Sequence, residues 1–211
     1  MSTGPPAQFI SFEGLEGVGK STSIRLLDEI LQQHDIDCLI TREPGGTPVA
    51  EQLRNIVLGH YDESLTDATE LMLMFAARSQ HITAVIEPAL AAGRWVLCDR
   101  FTDATIAYQG YGRGESLSRI RDMAEWVHAE RWPDKTLLLH APAQVAATRL
   151  ANRDGTPDRI ETAGDGFFDR VWQGYQALAQ AEPERFELID TQGSIESVRQ
   201  ALEKRVSAWL K

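Results

Sequence analysis

The sequence predicts an α/β domain, a five-stranded parallel sheet with helices on both faces. Three observations predict it. Five short runs are almost continuously apolar, as strands covered on both sides should be. Each is followed by a helix-length segment. A glycine-rich loop joins the first run to the first helical pattern. The strands are Phe9–Glu13 (FISFE), Cys38–Thr41 (CLIT), Trp95–Cys98 (WVLC), Thr136–His140 (TLLLH) and Phe186–Asp190 (FELID). A helix from about Lys20 to Gln33 keeps Ile24, Leu27 and Leu31 along one side. Leu65–Ala92 reads as one long helix capped by Thr66 or Asp67. Asn152–Gly166 is polar, rich in Gly and Asp and without apolar period, so a mobile excursion between two helices is expected. No repeat or flexible linker interrupts the chain, and one domain, 1–211, is expected, with a lid at about 149–162.

A chain of 211 residues buries enough apolar surface to need no disulfide or metal staple. Cys38 and Cys98 stand far apart with no CxxC, which suits a reducing compartment. No apolar run approaches a membrane span, and Met1 to Gln8 have neither a basic start nor an apolar core. The expectation is a cytoplasmic protein. Lys plus Arg number 21 and Asp plus Glu 31, for a formal charge of −10. That field disfavours nucleic acid and anionic membrane as partners, so any phosphate must be met by locally concentrated donors.

The loop after the first strand supplies them. Gly14-Leu15-Glu16-Gly17-Val18-Gly19-Lys20-Ser21, followed by Thr22, fits G-x-x-x-x-G-K-[ST] at every fixed position and opens a helix. Glycines let backbone N–H groups curl around phosphate oxygens, and the helix N-terminus adds positive potential. Lys20 can reach the β- and γ-phosphates of a nucleotide, and the Ser21 hydroxyl can bind a magnesium ion. Asp99, after WVLC, stands where ligands bind in open α/β sheets. It is a candidate to hold the metal directly or through water, or to fix Arg100.

A GTP switch would carry N-K-x-D, and no such string occurs. A small kinase remains, with an acceptor pocket and a cover against water. Arg149, Arg153 and Arg159 fall within eleven positions and suit a closing lid, or else an ordinary solvated loop. Leu71, Phe75, Arg78 and Ile82 share one helical face. Phe75 offers a flat surface for a base and Arg78 donors to its carbonyls; alternatively Phe75 is core and Arg78 snorkels to water. Thr105, Tyr108 and Gln109 bring a hydroxyl, a ring and an amide to one helical face, and Arg42-Glu43-Pro44 opens a rigid turn at the end of the second strand.

Taken together, FEGLEGVGKST, TREPGGTP, ELMLMFAARSQH, CDRFTDATIAYQG and DRIE resemble the thymidylate kinases of the bacterial type, in order, from about Phe9 to Trp209. The resemblance implies the P-loop nucleoside monophosphate kinase fold, phosphorylation of dTMP by ATP with magnesium, and a homodimer. It implies that Phe75 stacks on thymine, that Arg78 contacts a thymine carbonyl, and that Thr105 and Gln109 line the base site. Arg100 would grip the acceptor phosphate, Tyr108 would crowd the 2′ position, and Arg42, Glu43 and Pro44 would shape the same cavity. Leu15, Glu16, Gly17 and Val18 supply no arginine within the loop, so the catalytic arginine would come from the lid, Arg153 first and Arg149 next. The runner-up reading is a kinase for another small acceptor such as a deoxynucleoside, which would leave Arg100 without an anion.

Overall fold

The computed structural model describes residues 5–152, 158–164 and 166–210. Strands β1 (Phe9–Glu13), β2 (Cys38–Arg42), β3 (Trp95–Asp99), β4 (Lys135–His140) and β5 (Phe186–Asp190) form one parallel sheet in the order β2-β3-β1-β4-β5. β1 pairs with β3 from Phe9↔Val96 to Phe12↔Asp99, and with β4 from Ile10↔Lys135 to Glu13↔Leu138. Alternation then sorts side chains between two layers. Ile10, Phe12, Leu97, Leu137 and Leu139 pack under α1 (Lys20–Gln32) and α9 (Ile195–Trp209). On the opposite side Phe9, Val96 and Cys98 meet Phe101 and Ile86, while Leu138 and Phe186 meet the layer that holds Phe75, Tyr108 and Tyr175. Double coverage explains the missing polar alternation in β1, β3 and β4, whereas the edge strands β2 and β5 are only partly covered and leave Ile40 and Leu188 exposed, contrary to the expectation for these two runs.

Between β2 and β3 the chain forms α2 (Pro48–Leu58) and α3 (Asp67–His81). The sequence reading placed no helix at α2, although its start is written locally. The Thr47 side chain accepts from Ala50 N–H at 3.0 Å and Pro48 takes the first turn. The expected long helix is continuous to Ala91, capped by Thr66, but passes through a π turn at Ile82–Ile86 into α4 (Glu87–Ala91). Pro88, which has no N–H for the carbonyl four residues back, follows that wider turn.

After β3, α5 (Thr102–Thr105) continues as a π helix over Ile106–Gly112, then α6 (Leu117–His128) leads to β4, and α7 (Ala143–Ala151) and α8 (Phe167–Ala181) lead to β5. The π turn changes the expected single face. Thr105 and Gln109 engage α3, whereas Tyr108 engages Arg100. The expected excursion at 152–166 falls partly outside the described residues. No helix among the described residues is long and apolar enough to cross a membrane.

β1 lies where the sheet reverses direction of progress, with β3 on one side and β4 on the other. The crevice beyond its carboxyl end is therefore the expected ligand position.

Candidate active site

The loop after β1 is shaped by positive φ at Gly14 (131°), Gly17 (74°) and Gly19 (94°). Space as well as torsion demands glycine: a Cβ on Gly14 would lie 2.4 Å from the Leu139 carbonyl oxygen, and one on Gly17 2.4 Å from that of Ala146. Gly19 caps α1 in the left-handed conformation. Lys20 folds back over the loop, its Nζ donating to Leu15 O at 2.9 Å and Gly14 O at 3.3 Å. Burial, reinforced by the Arg100 charge, holds its pKa below the usual lysine value, with Glu16 opposing.

Ser21, Thr22, Asp99, Arg100 and Arg149 line one cavity of about 730 Å³ that reaches Arg42, Glu43 and Arg54. Thr191 braces its far wall, donating from Oγ1 to Val18 O (2.7 Å) and His140 O (3.0 Å). Arg149 Nη2 donates to the Thr191 carbonyl at 2.7 Å. Its Nη1 is buried without a partner among the described residues, 3.6 Å from where a Cβ on Gly19 would sit. Arg153 lies outside the described residues. Arg159 is placed away from the loop, on Glu70 and the Val57 carbonyl.

Asp99 ends β3, half-buried, with Oδ1 buried and unpartnered among the described residues. Arg100 follows at φ 72°, a left-handed conformation uncommon for any residue other than glycine. The turn sends its guanidinium across the crevice. Nη1 donates to Gly14 O and the Tyr175 hydroxyl, both at 3.0 Å, and Nη2 donates to the Tyr108 hydroxyl at 2.9 Å and to the Glu16 carboxylate. The group also lies 4.7 Å from the Tyr108 ring centre.

Beyond Arg100 a smaller cavity of about 70 Å³ is walled by Pro44, Met74, Ala104, Tyr108 and Gln109. It shares Glu16, Glu43, Arg54, Arg100 and Asp158 with the larger one, so the two adjoin across these side chains. Phe75, Arg78 and Thr105, expected at the base, are buried and line neither cavity; Arg78 reaches the lining only through Glu43. Arg78 is 2% exposed and does not reach water. Its Nε donates to Glu43 at 2.7 Å and Nη2 to Thr105 Oγ1 at 2.9 Å, while Nη1 is buried and unpartnered among the described residues. The guanidinium carbon lies 4.9 Å from the Phe75 ring centre. Glu43 is gripped on its other oxygen by His81 Nδ1 at 2.9 Å, and His81 Nε2 meets Thr41 Oγ1 at 2.6 Å. Arg42 sits exposed at the rim, paired with Glu51.

The sequence model of the thymidylate kinase family matches residues 12–202. The chain belongs to the thymidylate kinase family. It is 48% identical over 207 residues to the thymidylate kinase of Alkalilimnicola ehrlichii, covering 96% of this chain and 95% of that one. It is 49% identical over 195 residues to that of Pseudomonas putida strain GB-1, covering 92% of each. The solved thymidylate kinase of Ehrlichia chaffeensis superposes with a TM-score of 0.77 at 32% identity, over 96% of this chain and all of that one (100%). The fold expectation of a five-stranded P-loop kinase is met.

Two features of this thymidylate kinase family site escaped the sequence reading. Arg54, on α2, lines both cavities and donates from Nη1 to the Pro44 carbonyl at 2.8 Å. Recognising the Thr47-Pro48 helix start would have exposed it. Glu13, fully buried at the end of β1, accepts from Phe101 N–H (2.8 Å) and the Tyr175 hydroxyl (2.7 Å). Burial, with the Asp103 charge adding, pushes its pKa well above the usual carboxylate range, against the pull of Arg100. Nothing in the run FISFE distinguishes that residue from a strand end.

Proposed function

We infer that this thymidylate kinase family member transfers the γ-phosphoryl group of ATP to dTMP, giving ADP and dTDP for dTTP synthesis. The observation that carries the reading is that the phosphate-loop cavity and the small pocket walled by Tyr108 and Gln109 adjoin, with Arg100 and Glu43 lining both. The loop N–H groups and Lys20 cradle the donor phosphates. Arg100 sets the acceptor phosphate in line with them, and Arg149 and Arg153 stabilise charge on the transferring group. The attacking phosphate is already an oxyanion, so catalysis is positioning and electrostatics.

The side chains present fit a magnesium ion. Asp99 offers a buried oxygen without a partner among the described residues, and Ser21 lines the same cavity, so the chain itself offers two oxygen ligands. That suits a metal which takes most of its ligands from phosphate and water. Bound there by Ser21 and Asp99, directly or through water, magnesium would neutralise charge developing on the phosphates.

In the base pocket, Phe75 underlies thymine, Arg78 meets a carbonyl through its open Nη1, and Thr105 and Gln109 complete the edge. Tyr108 crowds the 2′ position, and Arg42, Glu43 and Pro44 shape the entrance. The chain acts in the cytoplasm. It pairs as a homodimer through the adjoining faces of α2, α3 and α6, where Val49, Ile56, Met72 and Trp126 are exposed; sedimentation showing a monomer at micromolar concentration would overturn that assembly. A coupled assay with dTMP, dUMP, dCMP and dGMP tests the activity: dTMP is turned over best, and equal or absent turnover of dTMP refutes the reading.

A further inference from the structure

Glu70 lies in the first turn of α3 and is 1% exposed, and the mechanism above does not use it. Its carboxylate is held from two sides. Oε2 accepts from Arg159 Nη2 at 2.6 Å and stands 3.5 Å from Arg113 Nη2. Oε1 accepts from Gln109 Nε2 at 2.7 Å. A carboxylate flanked by two guanidinium groups offers only lone pairs, so it dictates which end of a neighbouring amide faces it. The Gln109 nitrogen is turned to Glu70 and the carbonyl oxygen away from it. That oxygen is buried without a partner among the described residues, on a side chain that lines the small cavity. A buried acceptor left open is unfavourable, and a ligand donor removes that cost.

We propose that Glu70 is a positioning residue for base specificity, acting by fixing the Gln109 amide with its acceptor toward the pocket. The inference rests on the dTMP reading. An outward acceptor matches a pyrimidine whose N3 carries a hydrogen, as in thymine and uracil. Cytosine presents a lone pair at N3 and meets acceptor against acceptor. Arg159 holds the orienting carboxylate in turn, and it is itself fixed, donating to Val57 O from Nε at 3.1 Å and Nη2 at 2.9 Å. The amide and the segment 158–164 thus share one anchor.

The test is Glu70→Gln, which satisfies the Gln109 amide in either orientation. Specificity constants for dTMP, dUMP and dCMP are compared with those of the unaltered enzyme. The dTMP-to-dCMP ratio falls about tenfold, mainly through KM, because the site no longer opposes the wrong edge. The dTMP-to-dUMP ratio stays put, since both bases carry hydrogen at N3. A merely structural Glu70 lowers all three constants in proportion, and a dTMP-to-dCMP ratio unchanged within about twofold overturns the proposal. Arg159→Met loosens the anchor while keeping Glu70, and shifts the ratio the same way by about threefold. Should Glu70→Gln fail to fold by circular dichroism, an unchanged ratio in folded Arg159→Met is decisive against the proposal. Absent dTMP turnover in the unaltered enzyme defeats the dTMP reading instead, so the two failures are distinguishable.

Discussion

Around the phosphate loop the polar surface is backbone, laid down by consecutive residues whose glycines are required by space and torsion. Around the base pocket it is side chain, with buried carboxylates each shared between partners from distant elements. Glu43 of the turn after β2 joins Arg78 and His81 of α3; Glu70 of α3 joins Gln109 of the π turn and Arg159. The contrast has an energetic consequence. A backbone cradle changes little when a neighbouring side chain is replaced, whereas a dry polar network loses several interactions at once.

The hardest test of that contrast is Glu43→Ala. Among the described residues Arg78 would keep only Thr105 as a polar partner, in a fully buried setting. Removing one member of such a pair costs about 3–5 kcal/mol. Urea unfolding should show that loss, and calorimetry should show dTMP binding falling further than ATP binding. A loss under about 1 kcal/mol would mean that the network is not the frame of the pocket.

Lys20→Ala probes the other side. Turnover should fall about 10²–10³-fold, the usual effect of removing one donor from a charge-stabilising site. Equilibrium dTMP affinity should move by no more than about threefold, because the lysine acts on the donor phosphates. Unchanged kcat would remove Lys20 from the mechanism.

The same contrast explains what could be read from the letters. The five strands, the phosphate loop and the long helix are local patterns, and each lies within a few residues of its expected bounds. The positions of Arg54, Glu70 and Glu13 are not local. Their importance arises only when α2, α3 and β1 are brought beside one another, and a single buried acid looks in sequence like any solvated one. Arg78 was ambiguous for the same reason: an arginine on an apolar stripe can seek water or a carboxylate, and Glu43 lies 35 positions away. The π turns at Ile82–Ile86 and Ile106–Gly112 also lack a periodic signature.

Tyr108 sits on the boundary, its ring in the pocket wall and its hydroxyl accepting from Arg100. Two substitutions separate these duties. Tyr108→Ala should relax discrimination against the ribonucleotide by about tenfold, the worth of a steric contact in a pocket. Tyr108→Phe should keep the discrimination and raise KM for dTMP about threefold, by loosening Arg100. Retained preference in Tyr108→Ala would refute the steric role of the ring.

The smallest effect concerns His128, packed behind the acceptor side against Phe101 and Trp132, with Nε2 on Thr102 Oγ1 at 2.8 Å. Burial, reinforced by the Arg78 charge, lowers its pKa from 6.5 to about 4. The folded protein therefore resists protonation that the unfolded chain accepts. Stability from this group is complete above pH 6.5 and is lost as pH falls toward 4. Between pH 8 and pH 6 the loss is roughly 1 kcal/mol. His128→Gln should flatten that limb, read as the difference between variant and parent in urea unfolding at each pH. The difference cancels other titrations, including that of Glu13, whose raised pKa acts in the opposite sense by eroding stability as pH rises. A parallel decline in both proteins from pH 8 to pH 6 would show that the acceptor side does not exclude a proton at His128, and that its dry network is more open than Arg78 and Glu43 make it.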